Sequence, residues 1–169
     1  MSQDPAALTG ITGEGKSFGI VASQYNQSLV DSLLQNVLLT LKGAGAEEAR
    51  IETLRVPGSG EIPFPVSMLA KTNRFHCLIA LGVIIAGETR HHEHIALSAG
   101  SALQHIATEY GTPVINGIIL AETRDQAEAR CLGDINRGKE FALAALAMAD
   151  IKAKLSPSLA KPGNPPRAC

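Results

Sequence analysis

The chain has 169 residues, 45% hydrophobic and 18% charged, which is enough for one compact domain with a sizeable core. Its net charge of −1, with mixed signs, points away from nucleic acid or an anionic membrane as the main partner. No apolar run reaches about 18 residues, so no membrane span is expected, and the opening Met-Ser-Gln-Asp-Pro-Ala-Ala-Leu lacks the basic-then-apolar pattern of a secretory signal.

In chain order, residues 1–16 are polar and Gly-rich and read as an arm, either loose or paired with a neighbouring chain. The folded domain is expected over 17–155. Phe18 to Ala22 reads as a first buried strand, followed by a turn at Ser23–Asn26, with Asn26 or Ser28 as helix cap. Leu29, Val30, Leu33, Leu34, Val37, Leu38 and Leu41 then fall on one helical face, and Gly43 supplies the stop. Ala49 to Val56 alternates as a second strand. It runs into Pro57-Gly58-Ser59-Gly60-Glu61-Ile62-Pro63, a loop whose two prolines and two glycines imply a tight, fixed backbone. Pro63 to Lys71 is a short helix that begins on proline.

Cys77 to Ala86 carries no charge and is rich in β-branched residues, as a strand covered on both faces would be. It stops at Gly87, and Glu88, Thr89, Arg90, His91, His92 and Glu93 follow at once. A helical pattern then starts at Ile95 and runs to about Tyr110. Val114 to Leu120 is the fourth strand. Thr123-Arg-Asp-Gln126 has the form of a capping box opening a short helix that carries Arg130. After a polar loop, an Ala-rich helix spans Lys139 to about Lys154. Residues 156–169, with four prolines in fourteen positions, read as a disordered tail. The alternation of elements implies an α/β fold: a three-layer α-β-α sandwich around a four-stranded, mainly parallel, flavodoxin-like sheet with right-handed crossovers.

Ligands of open α/β sheets sit beyond the carboxyl ends of the strands. Those ends would gather Tyr25, the Ser59–Glu61 loop and the Gly87–His91 turn, with the fourth strand leading towards Arg130. Together they offer an aromatic face, a carboxylate, a helix N-terminus suited to an anion, an imidazole and a guanidinium. Blander readings stand beside these: Tyr25 as a loop aromatic, Glu61 as a helix-start carboxylate, and Arg130 as a solvated cation. His92, His94 and His105 read as surface or helix-face residues. His91-His92-Glu93-His94 does not satisfy a zinc-protease or di-iron spacing, so no metal is expected. The glycine clusters complete neither a dinucleotide nor a P-loop fingerprint. Cys77, Cys131 and Cys169 are an odd set that suits a reducing, cytoplasmic setting better than a disulfide framework.

Three ordered motifs carry a resemblance. Val56-Pro-Gly-Ser-Gly-Glu-Ile-Pro63 is similar to a Val-Pro-Gly-x-x-Glu-Ile-Pro loop. Leu81 to His91 is similar to a Gly-x-x-Ile-x-Gly-x-Thr-x-His turn, and Asp125–Arg130 with Asn136-Arg-Gly138 matches a last segment. From about Phe18 to Ile151 the chain resembles the lumazine synthases of riboflavin biosynthesis. The resemblance implies a transferase that uses no cofactor and condenses 5-amino-6-ribitylaminouracil with 3,4-dihydroxy-2-butanone 4-phosphate to 6,7-dimethyl-8-ribityllumazine, phosphate and water. By position, Tyr25 stacks on the pyrimidine, Ser59, Gly60 and Glu61 hold the ribityl chain, and Gly87, Glu88 and Thr89 cradle the phosphate. Arg130 of the adjacent subunit clamps that phosphate, and His91 is the catalytic proton shuttle. The resemblance also implies a homopentamer, with twelve pentamers in a shell as the larger alternative.

The chain departs from that pattern in several places. Ala86 stands where Arg or Lys is usual, Arg90 for a common Pro, and His92 for a common aromatic. Asn116 replaces the phenylalanine that a neighbouring subunit offers to the pocket. The loop from Arg130 to Gly138 is about one residue short and lacks its usual lysine, with Asp134 nearby; Arg90 or Arg137 would then supply the basic group. The rival readings are a catalytically weakened lumazine- or flavin-binding homologue, a purely structural shell protein, and an FMN-binding electron carrier.

Overall fold

A computed structural model describes residues 10–133, 135 and 137–159. The elements are β1 (Phe18–Ser23), α1 (Gln27–Gly43), β2 (Ile51–Val56), α2 (Pro63–Lys71), β3 (Cys77–Ile85), α3 (His91–Tyr110), β4 (Val114–Ala121), α4 (Arg124–Cys131) and α5 (Arg137–Leu159). Single 3-10 turns lie at Glu48–Arg50 and Ser59–Glu61. The four strands form one sheet in the order β2-β1-β3-β4, and every pairing is parallel. The expected α/β sandwich is therefore the observed fold.

Strand alternation sorts the core into two layers. Phe18, Ile20 and Ala22 of β1, with Cys77, Ile79, Leu81 and Val83 of β3, pack against Leu29, Leu33, Val37 and Leu41 of α1 and the alanines of α5. Val21, Leu78 and Ala80 turn the other way, onto Val66 and Leu69 of α2 and Leu103 and Ile106 of α3. A strand buried on both faces has no polar side to show, which is why β1 and β3 read as unbroken apolar runs. Small residues let α5 lie close to α1: a Cβ on Gly138 would come within 2.6 Å of the Leu33 carbonyl oxygen. At the far end of α5, Lys152 Nζ donates to Asn73 Oδ1, the Phe75 carbonyl and Thr112 Oγ1 at 2.9–3.0 Å, which ties the helix to the amino-terminal edge of the sheet.

Several boundaries differ from expectation. α1 ends at Gly43 as expected, but the left-handed residue that reverses the chain is Gly45 (φ 92°), and Ala46 N–H closes back on the Leu41 carbonyl at 3.0 Å. The second strand begins at Ile51, because Glu48–Arg50 coils into a 3-10 turn first. α3 begins at His91, a full turn before Ile95. α5 extends to Leu159, beyond Lys154. Residues 1–9 of the arm, residues 160–169 of the tail, Asp134 and Asn136 lie outside the described residues. The capping box at Thr123 is present in modified form. Thr123 Oγ1 accepts from Gln126 N–H at 3.2 Å, and Gln126 Oε1 reaches back to the N–H of Glu122 at 3.1 Å.

Candidate active site

Three strand ends build a single cleft. The loop after β1 is laced to the loop after β2: Gln24 N–H donates to the Val56 carbonyl at 2.8 Å and Tyr25 N–H to the Pro57 carbonyl at 3.1 Å. These bonds present Tyr25 with its side chain outward and 72% exposed, an unusual state for a large aromatic in a chain so poor in them. Asn26 follows in the left-handed conformation (φ 55°, ψ 43°) and makes no side-chain cap to α1. Its amide Nδ2 donates instead to the Val83 carbonyl at 2.9 Å, across to the end of β3. Asparagine tolerates that backbone region better than most residues.

The loop after β2 owes its shape to two missing side chains. A Cβ on Gly82 of β3 would sit 2.4 Å from Ser59 Oγ, so glycine there lets the Ser59 turn lie flat on the strand. A Cβ on Gly58 would sit 2.8 Å from Glu61 Oε2 and 3.2 Å from the Tyr25 ring. Carboxylate and ring thus converge over one bare backbone position, a geometry that any larger residue would obstruct. Ser59 is buried, while Gly60 and Glu61 are exposed. Pro63 opens α2 just beyond.

At the end of β3 the sheet gives out. Ala86 N–H bonds to the Ala121 carbonyl at 2.8 Å, and then, among the described residues, the N–H groups of Gly87, Glu88 and Thr89 find no partner. Three consecutive unpaired N–H groups ahead of a helix start suit an anion. His91 opens α3. His92, one residue on, turns its ring back so that Nδ1 lies 2.8 Å from the Thr89 carbonyl.

Tyr25, Ser59, Gly60, Glu61, Gly87, Thr89 and His91 line one cleft of about 550 Å³, together with Asn26, Gly58, Val83, Ile84, Ile85, His92 and Ile95. The apolar strand end makes a floor on which a flat ring can lie, and the polar groups stand around its rim. Glu88, Asn116 and Arg130 do not line the cleft of their own chain. Glu88 is exposed in the turn. Asn116, exposed on edge strand β4, accepts through Oδ1 from Ile118 N–H at 3.1 Å. Arg130 on α4 donates through Nη1 to the Gln126 carbonyl at 2.7 Å. Of the two substitute cations, Arg137 is paired with Glu140, and Arg90 is exposed beside the turn.

Two cleft residues escaped sequence reasoning. Asn26 or Ser28 read as the helix cap, and Asn26 does hold the N-cap position of α1, but its bond to Val83 was not foreseen; His92 read as a surface residue. Both act through a backbone carbonyl, Asn26 on Val83 of β3 and His92 on Thr89 three residues back, and no periodicity encodes that. The one available signal was a left-handed-tolerant asparagine directly after an aromatic at a strand end. Among the described residues, no three His, Cys, Asp or Glu side chains converge as metal ligands would, and no helix is long and apolar enough to cross a membrane.

The family profile described as 6,7-dimethyl-8-ribityllumazine synthase matches residues 15–153. A protein of that name from Stenotrophomonas maltophilia is 38% identical over 145 residues, which is 85% of this chain and 94% of the relative. Relatives of the same name from Xanthomonas euvesicatoria and Xanthomonas axonopodis are each 38% identical over 135 residues, 79% of this chain and 88% of theirs. These residues, folded around this cleft, place the chain in the 6,7-dimethyl-8-ribityllumazine synthase family.

Proposed function

We propose that the cleft condenses 5-amino-6-ribitylaminouracil with 3,4-dihydroxy-2-butanone 4-phosphate, giving 6,7-dimethyl-8-ribityllumazine, phosphate and water. The observation that carries this reading is the convergence of Tyr25, Glu61, His91 and the unpaired N–H groups of Gly87 and Thr89 on one cavity. It offers a stacking face and a hydroxyl acceptor on one side, and an anion cradle beside a proton carrier on the other.

The pyrimidine stacks on Tyr25 above the Val83–Ile85 floor, and its ribityl chain runs along Ser59, Gly60 and Glu61, whose carboxylate accepts from the hydroxyls. The phosphate of the second substrate sits at Gly87, Glu88 and Thr89. Its ketone is then held beside the pyrimidine amine, and most of the acceleration comes from that placement. The amine adds to the ketone and water leaves to give an imine. Loss of phosphate follows, and the ribitylamine nitrogen then closes the ring on the remaining carbonyl with release of a second water. Each of these steps moves a proton, and the His91 imidazole, which lines the cleft, carries it.

Arg130 and Asn116 act on the cleft of an adjacent subunit in a homopentamer. This accounts for two residues at family positions that do not line the cleft of their own chain. The planar guanidinium of Arg130 there neutralises the phosphate dianion. Twelve such pentamers closing into a shell are the larger assembly. The free thiols of Cys77 and Cys131 support a reducing, cytoplasmic setting.

Mixing purified protein with both substrates, following lumazine absorbance and weighing the product by mass spectrometry tests the reaction. A product of lumazine mass is expected, and its absence at high enzyme concentration overturns the assignment. Light scattering separates pentamer from shell, and a solitary chain in solution overturns the shared-site reading.

A further inference from the structure

The backbone of Gly87–Thr89 makes one hydrogen bond among the described residues, the 2.8 Å contact between the Thr89 carbonyl and His92 Nδ1. The rest of that backbone is unpaired, so this contact is the hydrogen bond that holds the turn back against the first turn of α3. A carbonyl oxygen only accepts, so Nδ1 carries the hydrogen and the neutral ring is the Nδ1–H tautomer. His92 also lines the cleft, beside Thr89 and His91.

An anion cradle made of backbone has a built-in difficulty. Every peptide that offers an N–H also carries a carbonyl whose partial negative charge repels the anion if it swings inward. The turn must therefore keep its N–H groups available and its carbonyls from swinging inward, and the Thr89 carbonyl is the one that is held. We propose that His92 is the positioning residue of this turn: its Nδ1–H engages the Thr89 carbonyl and keeps the N–H groups of Gly87–Thr89 available to a phosphate monoester. The inference rests on the reading of the turn as the phosphate cradle. It assigns that function's geometry to a side chain outside the catalytic set. α3 provides the rigid base, because a residue in its first turn reaches back three positions with little freedom to lose.

The test compares His92→Ala, His92→Asn and His92→Gln, with each substrate varied separately. Asparagine places an amide donor near the position of Nδ1, whereas glutamine carries its donor one carbon further out. His92→Ala is expected to raise KM for the phosphorylated ketone about 10-fold, the scale of one lost hydrogen bond and a loosened turn. Its kcat and its KM for the pyrimidine should stay within about twofold of wild type by the same reasoning. His92→Asn is expected to bring KM back towards wild type, and His92→Gln to behave like alanine.

Calorimetric titration with inorganic phosphate reads the same turn without the reaction. Weaker phosphate binding by His92→Ala, recovered in His92→Asn, supports the inference even if the wild-type chain makes no lumazine, a result that would sink only the reaction assignment. Equal phosphate affinity in wild type and all three variants overturns the inference. So does no phosphate binding by wild type, a parallel rise in KM for both substrates, or a failure of asparagine to recover what alanine loses.

Discussion

Asn26 Nδ2 donates to the Val83 carbonyl at 2.9 Å, a single bond that joins the loop after β1 to the end of β3 and so fixes Tyr25 over the cleft floor. Asn26→Asp keeps the size and the tolerance of a left-handed backbone, but swaps the donor for an oxygen facing a carbonyl. The change should cost about 1–3 kcal/mol, the range for a broken, part-buried hydrogen bond that leaves its acceptor unsatisfied. KM for the pyrimidine should rise with it, because Tyr25 loses its anchor, while KM for the phosphorylated ketone holds. Thermal unfolding together with the two KM values checks this. An unchanged melting temperature would mean that the bond contributes nothing.

Glycines around the site divide into those that need bare backbone and those that do not. On Gly82 a Cβ would meet Ser59 Oγ at 2.4 Å and Ile62 Cδ1 at 3.3 Å, whereas on Gly60 it would meet Ile95 Cγ2 at 3.8 Å, an ordinary contact. Gly82→Ala is therefore expected to destabilise by about 1–3 kcal/mol, as overpacking does. It should also lift the Ser59 turn and weaken pyrimidine binding. Gly60→Ala should leave stability within about 0.5 kcal/mol of wild type. Equal melting temperatures for the two variants would show that the Ser59 turn is not seated on Gly82.

Sequence reasoning reached the sheet because β1 and β3 are apolar on both faces, a pattern that short amphipathic segments do not imitate. It placed the end of α1 at Gly43, where the helix does stop, but not the left-handed residue, which the chain reversal at Ala46 puts at Gly45. It missed the Glu48–Arg50 turn because that segment alternates well enough for a strand and only its position outside the sheet decides. The strand-end rule brought together Tyr25, Ser59, Gly60, Glu61, Gly87 and His91. That rule could not find the Asn26 and His92 bonds, whose acceptors are backbone atoms without sequence identity.

His76 gives the fold a pH dependence of its own. Its ring Nδ1 accepts from Ser17 N–H at 3.0 Å, and the His76 backbone N–H donates to the Ser17 carbonyl at 2.8 Å, pinning the start of β3 beside β1. Burial holds its pKa below the ordinary 6.5, and the positive charges of Lys152, Lys16 and Arg50 lower it further. A folded-state value depressed below the unfolded one means that the contribution is fully present above pH 6.5 and is lost as pH falls through the folded value. Protonation also removes the lone pair that Ser17 N–H needs. Melting temperature should thus fall on acidification below pH 6.5 more steeply in wild type than in His76→Gln, which keeps an acceptor that does not titrate. Parallel profiles for the two proteins would remove His76 from the account.

His91 lines the cleft and Arg130 does not, so a shared site predicts that the two can be supplied by different chains. His91→Ala should slow turnover substantially without abolishing it, because positioning still operates. Arg130→Ala should do far more damage, on the order of 10²-fold or beyond, since a desolvated phosphate loses its counter-charge. If the two variants are unfolded together and refolded as mixed rings, some clefts take His91 from one chain and Arg130 from its neighbour. Random mixing in equal amounts makes about a quarter of the sites complete, because each of the two positions around a head-to-tail ring is filled correctly half the time. Activity should therefore climb well above that of either variant alone, towards that fraction of wild type. If instead both residues serve the same chain's cleft, no mixing ratio restores anything, and activity stays between the two starting values.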